Sequence, residues 1–79
     1  VNIARNALGG KMSEKVFKQI TVTGCSTESY EKAIEAAVEK SSESLRALSW
    51  FQVTEFRGGI NPDGGIEYQA TLNVAFKVD

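Results

Sequence analysis

The chain has no histidine and only one cysteine, Cys25, in 79 residues. These shortages exclude an intramolecular disulfide, Cys/His zinc centres, Ser-His and Cys-His nucleophilic pairs, and imidazole acid-base chemistry. A lone reduced thiol suits the cytoplasm better than an oxidising compartment. Basic excess is also missing. Lys and Arg number nine against ten Asp and Glu, and setting aside Arg5 and Lys11 leaves seven against ten from Met12 onward. That balance argues against a nucleic-acid partner. No apolar run reaches the roughly 20 residues a membrane helix needs, so a soluble chain with no membrane partner is expected.

Tryptophan occurs once, as Trp50. It falls where a helical pattern over 27–48 gives way to a strand pattern over 49–56. Successive strand side chains point to opposite faces, so Trp50 lies across the strand from Phe51 and Val53. If those two pack inward against the helix, the indole points out of the protomer's core. In a domain this small, an outward indole calls for a second subunit or a flat ligand. Size points the same way. A chain near 60 residues buries only about 60% of the surface it exposes when unfolded, and with no disulfide available, oligomerisation is the remaining common route to stability.

Residues 1–11 (VNIARNALGGK) have no clear period, end on Gly9-Gly10-Lys11, and lack the layout of a signal peptide. They are expected to be an extension, added in cloning or encoded upstream, or else a native arm that orders on a neighbouring subunit. The folded domain is expected to be 12–79. Within it, residues 16–23 (VFKQITVT) put Val16, Ile20 and Val22 on one face of a strand. Gly24-Cys25-Ser26-Thr27 supplies a turn and a capping hydroxyl. In the helix that follows, Tyr30, Ile34, Ala37, Val38, Ser41, Leu45 and Leu48 form one apolar stripe. A second strand from Ser49 leads into the turn-rich run Gly58 to Gly65. Ile66 to Val78 then returns with Ile66, Tyr68, Ala70, Leu72, Val74, Phe76 and Val78 on one face.

The pattern predicts an α+β domain of β-α-β-β order, with a three-stranded antiparallel sheet partly wrapping one helix and the long last strand at its centre. Thirteen residues at about 3.3 Å each outrun any helix available to cover them. Other copies of the chain should bury the overhang.

The run 45–53 (LRALSWFQV), the following Arg57-Gly58 and the terminal 68–76 (YQATLNVAF) together resemble the dodecins, a family of small flavin-binding proteins; Val16-Phe17-Lys18 and Gly24-Cys25-Ser26 also fit. The resemblance implies a hollow homo-dodecamer built from trimers. Its riboflavin or FMN rings would stack between symmetry-related tryptophans where subunits meet. It further implies that Trp50 is the stacking residue and that Gln69 hydrogen-bonds the polar edge of the ring. Glu55 stands where an acidic residue can bind ribityl hydroxyls, and Arg57 matches an arginine available to a phosphate.

The chemistry of these residues suits those roles. Indole is the largest electron-rich side chain and a flavin is a large electron-poor plane; stacking of this kind contributes about 1–3 kcal/mol. A glutamine donates and accepts at once, as the flavin's pyrimidine edge requires. The set suffices for recognition and not for catalysis, so a non-enzymatic flavin store or buffer is expected, with no metal. The alternatives are a flavoenzyme using the same ring for turnover, and a flavin-free shell holding cations or coenzyme A. Separately from any ligand, Trp50 could be an interface anchor, Gln69 and Arg57 solvated residues, and Glu55 the mark of a strand end or bulge.

Overall fold

The computed structural model describes residues 14–78. The expectation about residues 1–11 lies outside that range. Four elements follow one another: β1 (Phe17–Ser26), α1 (Tyr30–Ser44), β2 (Leu48–Ile60) and β3 (Ile66–Lys77). The strands form one antiparallel sheet in the order β1-β3-β2, so β3 is central, as the helical crossover between β1 and β2 predicted. Among the described residues no helix is long and apolar enough to cross a membrane.

The helix lies over β1 and β3 and scarcely touches β2. Its closest approach is at Gly24, which sits inside β1 and not in a turn. A Cβ there would lie 2.0 Å from the Ala33 carbonyl oxygen and 3.0 Å from the Ala37 Cβ. With no side chain between them, strand and helix backbone pack directly, and Ala33 and Ala37 are buried. The strand therefore continues to Ser26 and the cap moves downstream. Ser29, with φ −169° and ψ 166°, accepts the Lys32 N–H on its hydroxyl; Thr27 does not cap the helix.

The helix also stops earlier than its apolar stripe suggested. Ser41, Ser42 and Ser44 are weak helix formers, and Leu45 turns extended at φ −120°, its N–H still bonded to the Ser41 carbonyl. Ala47 then takes φ 57°, a left-handed turn unusual for a residue with a Cβ. Leu48 consequently belongs to β2, packed against the core from the sheet side.

That core is thin. Among the described residues Leu72 and Val74 are its only large, fully buried side chains, joined by Ala33, Ala37, Ala70 and the partly buried Ile20, Val22, Ile34, Val38 and Leu48. A 15-residue helix is roughly 22 Å long, against about 43 Å for a 13-residue strand, so half of the hairpin has no helix above it. Tyr30 closes the covered end, its ring meeting Phe56 and Tyr68 edge-on at 5.0 Å each. Beyond it Ile60 is 85% exposed and Ile66 55%. The hairpin turns through Asn61–Gly65, where the Asn61 N–H donates to the Gly65 carbonyl and Gly64 takes the φ of +90° that glycine tolerates.

Gly24→Ala should be among the most destabilising single-methyl additions in this chain, because the contact it strikes is backbone. An overpacking cost of 1–3 kcal/mol or more is expected, read as a lowered thermal midpoint, while Gly58→Ala, whose nearest neighbour would be 3.8 Å away, should change little.

Candidate functional site

The face of the sheet away from the helix is built in cross-strand rows. From one end they run Phe17 with Lys77; Gln19, Ala75 and Trp50; Thr21, Asn73 and Gln52; Thr23, Thr71 and Glu55; Cys25, Gln69 and Arg57; and Glu67 with Gly59. All four residues singled out from the sequence, Trp50, Glu55, Arg57 and Gln69, fall on this face.

Two irregularities in β2 put them there. The register shifts between Leu48 and Trp50 and again between Val53 and Glu55. Each extra residue inverts the alternation, so Leu48, Phe51, Val53, Phe56 and Ile60 face the helix side while Trp50, Gln52, Glu55 and Arg57 face outward. The second bulge explains why Glu55 interrupts the apolar pattern. Its extra residue, Thr54, donates its hydroxyl to the Thr71 carbonyl at 3.2 Å.

Trp50 stands over Ala75, a fully buried alanine on the outer face. Beside it is Phe17 of β1, reaching diagonally across β3 with ring centroids 4.8 Å apart and planes inclined at 57°. The indole remains 46% exposed. Phe17 is a site residue that sequence reasoning missed. Its signal was present, since 17, 19, 21 and 23 share the face opposite Ile20 and Val22, and a phenylalanine heads an otherwise polar set.

Toward the hairpin tip the face becomes a polar ladder. Thr21 donates to Asn73 Oδ1 at 2.7 Å, and the Thr23 and Thr71 hydroxyls share a hydrogen bond of 2.8 Å. Arg57 Nε donates to Gln69 Oε1 at 2.6 Å, and Gln69 Nε2 donates to Glu67 Oε1 at 2.8 Å. Glu67 was likewise not anticipated. Both ion pairs among the described residues lie on the helix surface, Lys32 with Glu35 and Lys40 with Glu43, so the Arg57 guanidinium has no carboxylate within ion-pair range there.

The protomer does not bring Trp50 and Gln69 together. Their rows are centred on Ala75 and Gln69 of the same strand, six residues and roughly 20 Å apart. A ring stacked on Trp50 does not span that distance to the same chain's Gln69. A depression of about 200 Å³ that Trp50 borders opens on the helix side, between Val38, Leu48, Phe51 and Val74, and not on the outer face. A depression of about 600 Å³ lies between α1 and the free edge of β1. On its own, one chain offers an aromatic plate and a remote polar clamp.

A family model described as Dodecin matches residues 16–79. A dodecin of Thermus thermophilus is 43% identical over 65 residues, covering 82% of this chain and 94% of the relative. The solved dodecin of Streptomyces coelicolor superposes with a TM-score of 0.79 at 35% identity, over 86% of this chain and 97% of the other. A calcium-chelating dodecin from Mycobacterium tuberculosis, described with a novel calcium-binding site, gives 0.75 at 31% identity over 81% and 91%. Sequence, strand order and three-dimensional likeness agree, and the chain belongs to the dodecin family.

Proposed function

We propose that this chain is a non-catalytic flavin-binding protein, a cytoplasmic store or buffer for riboflavin or FMN. It holds the isoalloxazine ring against Trp50 at interfaces of a homo-dodecamer built from trimers. The observation that carries this reading is the placement of a half-exposed indole on the outer sheet face, roughly 20 Å from the amide that would read the ring's edge. A ligand that uses both takes Trp50 from one protomer and Gln69 from another. Each binding site then exists only in the assembled particle. Family membership supports the same conclusion, as do eight exposed large apolar side chains against two large fully buried ones among the described residues.

Each residue has a distinct part. Trp50 supplies the stacking plane, its inner flank already held by Phe17 so that its free side faces the guest. Gln69 retains one N–H and one lone pair after its two intramolecular bonds, enough for a paired donor-acceptor contact with the pyrimidine edge. Glu55 accepts from the ribityl hydroxyls. Arg57 uses Nε on Gln69 and keeps its terminal nitrogens for a phosphate, so FMN gains a contact that riboflavin lacks. A ring enclosed between indoles leaves no open face for a second substrate, which weighs against redox turnover.

Electron transfer from indole to excited flavin should quench the bound fluorophore. Titrating riboflavin with native protein should extinguish its emission, and Trp50→Ala should weaken binding by about 10–100-fold while leaving the particle size unchanged on size-exclusion chromatography. Bright emission at saturating native protein would overturn the proposal. The shared origin of the site has its own check. Trp50→Ala and Gln69→Ala should each bind poorly when assembled separately, whereas refolding them together should restore a fraction of native-affinity sites; no recovery would place both residues of a site in one chain.

A further inference from the structure

Nothing in the reading above involves Glu67, yet its carboxylate decides what Gln69 can do. A side-chain amide has two orientations differing by a half-turn, and ordinarily either serves. Here the neighbours are not interchangeable: a guanidinium can only donate and a carboxylate can only accept. With Arg57 Nε on Oε1 at 2.6 Å and Glu67 Oε1 on Nε2 at 2.8 Å, only one orientation satisfies both. The half-turn would set NH2 against guanidinium and C=O against carboxylate, replacing two charge-assisted hydrogen bonds by two repulsions.

A second observation marks the contact as built. Gly59 pairs with Glu67 across the ladder, and a Cβ at that position would come within 3.0 Å of Gln69 Nε2 and 3.6 Å of Glu67 Oε1. The glycine leaves the space in which amide and carboxylate meet. Gly58, its neighbour on the other face, has nothing closer than 3.8 Å.

We infer that Glu67 is a positioning residue: through the Arg57–Gln69–Glu67 relay it fixes the Gln69 amide so that its free acceptor and free donor are presented in one order only. This inference rests on the flavin reading and deepens it. The pyrimidine edge of oxidised flavin carries an N3–H donor between two carbonyl acceptors. A locked amide accepts from N3–H and donates to the carbonyl on its Glu67 side, which sets the way the ring lies. A freely turning amide would accept either arrangement, including an edge that presents an acceptor at N3 beside a donor.

The test compares riboflavin with its 4-amino analogue, in which the 4-carbonyl acceptor becomes an amino donor and N3 becomes an acceptor. Against the assembled native protein, the locked Gln69 oxygen should face the N3 lone pair and riboflavin should bind about tenfold tighter. Glu67→Gln retains an acceptor oxygen and should keep this ratio. Glu67→Ala removes one of the two locks and should lower the ratio, and Glu67→Ala combined with Arg57→Met, which removes both, should bring it to within about threefold of unity. Gly59→Ala displaces the amide from the carboxylate by a separate route and should lower the ratio too, deciding the matter if Glu67→Ala does not assemble. A merely structural Glu67 would weaken both ligands together and leave the ratio intact, which would overturn the inference, as would a native ratio near unity. Failure of native protein to bind riboflavin at all would instead sink the flavin reading.

Discussion

One helix of 15 residues has to shelter a sheet whose two long strands have 13 and 12. Most of what is distinctive in this chain follows from that mismatch. Helix and sheet approach as closely as backbones allow, through Gly24, and so bury little besides alanines, a leucine and a valine. The remaining apolar side chains, Phe51, Phe56, Ile60 and Ile66 on the helix side and Trp50 and Phe17 on the other, stand in the open. With burial of a large side chain contributing about 1.5–3 kcal/mol, the residues left uncovered represent more stabilisation than those inside. The protomer is better understood as a component than as a finished globule.

The two bulges of β2 sort the exposed residues. Without them an unbroken alternation from Leu48 would send Trp50 inward with Phe56 and Ile60. With them, the aromatic plate and the charged side chains gather on the outer face while the phenylalanines stay beneath. Placing these insertions in an edge strand is mechanically easy, since its outer backbone has no partner to disrupt. The outer face thereby acquires an aromatic end and a polar end, separated by more than a single aromatic ring system can span.

Much of this was legible in the residues. The alternation of 66–78 marked the last strand and the helical crossover its central place, the stripe from Tyr30 marked the helix, and the parity of Trp50 against Phe51 and Val53 its face. Other features depended on tertiary contacts that leave no local mark. Gly24 looks like a turn residue until a helix is laid on it, and Leu45 and Leu48 continue a helical period although Ser41 to Ser44 end the helix. The spacing of 48, 51, 53 and 56 mimics neither a clean strand nor a clean helix, because two bulges hide in it. The distance between Trp50 and Gln69 needed the pairing register, and Glu67 needed a hydrogen bond to stand out from a solvated surface.

The strand order has a bearing on how the chain comes into being. β3 is synthesised after both of the strands it joins, and β1 and β2 do not pair with each other. While the ribosome is still building the hairpin, β1 can offer the helix only a two-element contact across Gly24, with no ladder to hold it. Sheet formation must wait for β3 to emerge, after which it zips against both neighbours nearly at once. Nascent copies on one message would then expose their apolar strands side by side just as they become able to associate.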